Sequence, residues 1–253
     1  MVTRAAFMLG VVACVACSGN KPRAAGDDAH GTQRGDGGGP GDAAPATGDL
    51  QIRVEWKNVP AAMRNSPVPT PCSTPRAPAL APTTTWGVPD AFVIVEGGSP
   101  PLEARVVLAD CALHPRVVAG SVLVVESAVD HPARLTLVRH GAIGDLAAGA
   151  LHSGERRVIQ LPIAGHAVSI ALEANAVYQL ATDGADPETA WIVSGSSYAT
   201  DATGQVVVKG LPVGARRVAA WLPARGNLTV RFATGTSAIV ANELAELTID
   251  LAP

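Results

Sequence analysis

The chain has 253 residues, a formal net charge of −3, 47% hydrophobic residues and only 4% aromatic ones. That length allows one large domain or two small ones, and the apolar content is enough to bury a core. The charge is small and dispersed, with no basic stripe interleaved with aromatics, so no nucleic-acid partner is expected.

Residues 1–17 read as an export signal: Arg4 precedes an apolar run from Ala5 to Ala16 that is too short to span a bilayer as a helix. The run ends in Val15-Ala16-Cys17, then Ser18-Gly19. Small residues directly before a Cys resemble a bacterial lipobox, which implies lipidation of Cys17, with Cys14 as the alternative. Residues 18–48 are Gly, Ala, Asp and Pro with no apolar run. That composition cannot offset its own ordering entropy and predicts a disordered tether.

The folded part opens at Leu50–Trp56, where apolar and polar residues alternate as in a half-buried strand. Residues 57–89 carry eight prolines, which exclude a helix or a central strand and predict an extended surface crossing that contains Cys72. Ala91–Val95 is continuously apolar, hence a strand covered on both faces. Further strands are expected at 104–109, 117–119, 122–125, 135–138, 157–161, 168–172 and 177–180. Gly141–Ser153 reads as loop with one helical turn. In Ala190–Leu222, three apolar runs are separated by Asp201-Ala202-Thr203-Gly204 and Leu211-Pro212-Val213-Gly214. Such clusters reverse a chain between strands, so this stretch predicts a β-meander. Strands at 228–232 and 244–251 close the series. Short Val-rich strands at intervals of roughly eight to twelve residues predict an antiparallel sandwich or barrel.

Beyond the signal two cysteines remain, Cys72 and Cys111. In an exported chain such a pair reads first as a disulfide. It would close a loop of about 40 residues, worth about 3–4 kcal/mol on the chain-entropy estimate. The rival reading is a metal site begun by Cys111 and His114. A structural zinc site needs four ligands, and no second pair stands at suitable spacing. His30 lies in the tether, and the other histidines, 131, 140, 152 and 166, are scattered among turns. Ser194-Gly195-Ser196-Ser197 is out of register for a nucleophile elbow. Asp183-Gly184-Ala185-Asp186 lacks the remainder of a calcium loop and reads as a polar turn. No catalytic residue is assigned, and no enzyme is expected.

Trp56, Val59-Pro60, Cys72, the Pro89–Gly97 stretch, Cys111 with Pro115 and the Val122–Leu137 strand pair resemble cupredoxin-like exported proteins. Tyr198, Thr200-Asp201, Gly204, Leu211-Pro212, Gly214 and Trp221 resemble a carboxypeptidase regulatory-like section. The resemblance implies an all-β chain: an antiparallel Greek-key β-sandwich over 49–188, then a smaller β-sandwich meander over 189–253. It also locates the family's copper ligands. The Cys-x-x-His should fall within Val177–Thr189, where this chain has neither residue, and the other His would be His131. Type-1 copper needs a thiolate and imidazoles together.

The reading is therefore a non-enzymatic envelope lipoprotein without cofactor, in a structural or binding role. It would be held to the membrane by its lipid, at the outer membrane facing periplasm or surface, with an envelope protein or glycan as partner. One alternative is a periplasmic copper electron carrier built on Cys111, His114 and His131. Another is a carbohydrate- or peptide-binding module. Trp191 and Trp221 lie in apolar strand contexts and are expected in the core, which leaves no aromatic platform for sugar stacking.

Overall fold

Strand β1 (Thr47–Glu55) shows how the sequence builds this protein. Leu50, Ile52 and Val54 are fully buried while Asp49, Gln51 and Arg53 are half-exposed, the period of two that a strand imposes. The strand lies at the centre of a sheet, antiparallel to β13 (Gln205–Pro212) and parallel to β16 (Leu244–Asp250). The computed structural model describes residues 45–59, 86–149, 151–184, 187–224 and 230–251. The expected signal, most of the expected tether, Cys14, Cys17, Cys72 and most of the proline-rich stretch lie outside the described residues.

A second sheet faces the first. Its order is β12 (Ser197–Ala199), β2 (Phe92–Val95), β14 (Gly214–Leu222), β15 (Arg231–Ile239). Leu50, Ile52, Trp56, Val93, Val95, Leu211, Val218 and Leu222 pack between these two sheets as one core. Two more sheets form a second pair. One has the order β4 (Ala112–His114), β3 (Glu103–Ala109), β6 (Val122–Ser127), β9 (Ala167–Ala171). The other runs β5 (Val117–Ala119), β11 (Thr189–Val193), β10 (Ala176–Thr182), β7 (Ala133–Ala142), β8 (Arg156–Leu161). Between them lie Val106, Leu113, Leu123, Leu135, Leu161, Leu180 and Ile192.

A third core joins the two pairs. Phe92 and Trp221 from the β2–β14 sheet meet Val117, Val177, Trp191 and Val193 from the β5–β11–β10 sheet. Trp221 stacks on Phe92 at 5.2 Å and meets Trp191 edge-on at 5.4 Å, both favourable aromatic arrangements. Trp191 and Trp221 are thus core residues. The described chain is all-β in four sheets stacked in series, and a single 3-10 turn at Ile143–Leu146 falls in the expected loop.

The sheets differ from the expected ones in three ways. Three strand pairs are parallel, β1 with β16, β3 with β6 and β5 with β11, so three of the four sheets are mixed, and only the β12-β2-β14-β15 sheet is antiparallel throughout. The expected meander does not form. Strands β11, β13 and β14 belong to three different sheets, because the reversal at Val213 carries the chain across the core instead of into a hairpin. A division after residue 188 would part β11 from β10, its hydrogen-bonded neighbour, and would strand β1 and β2 away from β13, β14 and β16. The pairing instead groups 47–95 with 197–250 and leaves 103–193 as an inserted lobe. Its entry and exit are adjacent: Ile94 pairs with Ser197, and Val95 N–H donates to Ser196 O at 3.0 Å.

Candidate functional site

The outer face of the β2–β14–β15 sheet is only half covered. Register places Phe92, Trp221 and Phe232 in one row, then Ile94, Ala219 and Thr234, then Arg217 and Thr236. The inserted lobe covers the aromatic row. Beyond it the lobe overhangs an open groove of about 870 Å³, within the size range of ligand sites. The floor is Ile94, Ala219, Arg217, Thr234 and Thr236, and the wall is Ile143, Gly144 and Asn175.

Both sides of the groove are pinned. Ile143 N–H donates to Asn175 O at 2.8 Å, and Ala142 N–H donates to the Asp145 carboxylate at 2.9 Å. Glu96 and Gly97 form the rim in the turn after β2. Tyr198 Oη donates to Ser99 O at 2.6 Å, and Ser196 Oγ donates to Gly98 O. Burial pushes the Tyr198 phenol above its ordinary pKa, so it stays a donor. Gly97 takes φ +77°, where a side chain would strain the turn. The Arg217 guanidinium has no hydrogen bond or ion pair among the described residues. The apolar run that marks β14 in the sequence starts at Val218 and leaves out Arg217. The signal that could have found it is phase, since Arg217, Ala219 and Trp221 alternate on one face of the strand.

The serines after β11 are structural. Ser194 is buried; its hydroxyl accepts from Ala176 N–H at 2.9 Å and donates to Glu173 O. Ser197 Oγ donates to Val193 O at 3.2 Å. A smaller hollow of about 160 Å³ in the inserted lobe is lined in part by Arg139, Glu155, Arg157, Glu173 and Tyr178. There Arg139 pairs with Glu173 at 3.1 Å, and Tyr178 Oη accepts from Glu173 N–H at 3.0 Å.

Cys111 sits at the tip of the β3–β4 hairpin and is disulfide-bonded, so it offers no free thiolate; Cys72 lies outside the described residues. His114 is exposed at the end of β4, and His131 is exposed between β6 and β7 beside Asp130 at 3.3 Å. His152 N–H donates to His140 O, and His166 O accepts from Ser127 N–H. Among the described residues no three His, Cys, Asp or Glu side chains converge as a metal site.

The stretches where the resemblance puts copper ligands do share one end of the inserted lobe, because Thr182 pairs with Leu135. Hard charged groups stand there. Arg134 meets Asp183 at 3.4 Å, and Arg116 meets the buried Glu188 at 3.6 Å. Asp183 thus serves an ion pair, while Asp186 lies outside the described residues. No protein family, curated protein or solved structure matches this chain.

Proposed function

We propose that this chain is an exported, lipid-anchored envelope protein whose folded part is a non-enzymatic binding module, with the groove beside Arg217 as its binding site. The observation that carries the reading is the groove itself: a preformed, pinned concavity where one lobe overhangs the uncovered half of the other lobe's sheet. We read residues 103–193 as a cupredoxin-like Greek key. Support comes from the order β4-β3-β6-β9, with β3 and β6 parallel and β6 and β9 antiparallel. We read 47–95 with 197–250 as the carboxypeptidase regulatory-like part. There Asp201 caps the turn from Thr203 N–H and Gln205 N–H, and Gly204 supplies φ +80°.

The metal-free assignment rests on donor chemistry. Carboxylate–guanidinium pairs occupy the end of the lobe where copper would need thiolate and imidazole. Two measurements test the proposal. Purified protein titrated with Cu(II) is expected to develop no intense blue band; such a band would return the chain to electron transfer. Fractionated cells are expected to hold the protein in the membrane, and Cys17→Ser is expected to release it. Release by Cys14→Ser alone would move the lipid to the alternative cysteine, and retention of both variants would remove the anchor.

A further inference from the structure

We infer that the groove takes an extended peptide segment bearing a carboxylate beside an aliphatic side chain, with Arg217 receiving the carboxylate; this rests on the groove being the binding site.

Charge is the first argument. Arg217 lies one strand over from Glu96, whose N–H donates to Arg217 O at 3.0 Å, yet no ion pair joins their side chains. A guanidinium offers donors in a planar fork that matches a carboxylate. Glu96 offers an acceptor beside it. A repeating polyanion would meet repulsion from Glu96, whereas a peptide carries both a carboxylate and backbone N–H groups. Shape is the second argument. Ile94, Ile143 and Ala219 make an apolar patch in the same groove, which suits an aliphatic side chain, and Thr234, Thr236 and Asn175 offer hydroxyl and amide groups to a peptide backbone. The lining contains no aromatic ring, so it lacks the stacking surface a neutral sugar would use.

The test uses the full chain and a pool of hexapeptides that pair Asp or Glu with Leu, Ile or Val, set against the same pool with Asn or Gln. Oligogalacturonate serves as the acidic-glycan arm. The acid-bearing peptides are expected to bind, with at least tenfold weaker binding by Arg217→Ala and by the amide pool. Ala219→Trp, which fills the floor, is expected to abolish binding while circular dichroism stays unchanged. Peptide binding that ignores Arg217, or no peptide binding at millimolar concentration, overturns the inference. Oligogalacturonate binding that depends on Arg217 overturns it in favour of a glycan.

A photo-cross-linker at Thr234 in intact cells separates this inference from the reading beneath it. An adduct lost with Ala219→Trp but resistant to protease keeps the groove and removes the peptide. No adduct at all removes the groove as a binding site.

Discussion

Thr200 shows how much one side chain carries. Its Oγ1 accepts from Ala91 N–H at 2.9 Å and donates to Val88 O at 2.8 Å, and the site is buried. Thr200→Val keeps the shape and leaves both backbone groups unpaired, so it is expected to lower stability by about 2–3 kcal/mol. The urea midpoint checks this; an unchanged midpoint would remove Thr200 as the clasp. His140 is the second case. It is half-buried against Trp191, with ring centroids 5.2 Å apart. Burial lowers its pKa, with a hydrogen bond donated by the ring to the Gln179 side chain acting the other way. The unfolded chain therefore binds a proton more readily than the folded one. The resulting stability is full above the ordinary histidine value of about 6.5 and is lost as pH falls toward the depressed folded value. Wild type is expected to lose more stability than His140→Gln between neutral and mildly acid pH, because only wild type carries the buried imidazole that folding holds below its ordinary pKa. Equal losses in urea titrations would show that His140 is not the source.

Strands were legible in the sequence where apolar runs were long, as at Leu50–Trp56 and Ala91–Val95. They were not legible where pairing replaces hydrophobicity. Strand β15 continues through Ala233-Thr234-Gly235-Thr236-Ser237, a stretch with no bulky apolar residue, because β14 pairs with it along its whole length. The short strands β4 and β12 have three residues each and owe their existence to the neighbours β3 and β2. The groove floor depends on this missed part of β15, so the site was hidden for the same reason. Close approach between elements was invisible too. A Cβ on Gly87 would lie 1.9 Å from Thr203 O, so the segment before β2 and the turn before β13 touch backbone to backbone. Gly87→Ala is expected to cost about 3 kcal/mol, since neither backbone can yield cheaply. A chemical-denaturation shift below about 1 kcal/mol would mean that this contact relaxes freely.

At the scale of the whole molecule, the insertion of 103–193 between two paired strands could not be read from local sequence. It is a statement about which distant segments pair, and apolar alternation is the same in either arrangement. The two lobes nevertheless share the aromatic core of Phe92, Trp191 and Trp221. Scanning calorimetry is expected to show one transition for wild type. Trp221→Ala, at a cost of about 3–5 kcal/mol for a buried aromatic, is expected to split it into two. Two transitions in wild type would mean that the shared core does not couple the lobes.

The parallel pairing of β1 with β16 also decides how the molecule resists force. Seven residue pairs run from Asp49–Leu244 to Glu55–Asp250, so the first strand leaves the sheet at one end and the last at the other. A pull on the two ends loads all those hydrogen bonds at once, in shear. A pull between residues 46 and 213, flanking the antiparallel β1–β13 pair, opens one bond after another like a zip. Optical tweezers are expected to find a much higher rupture force in the first geometry than in the second. Equal forces would mean that the clamp lies elsewhere.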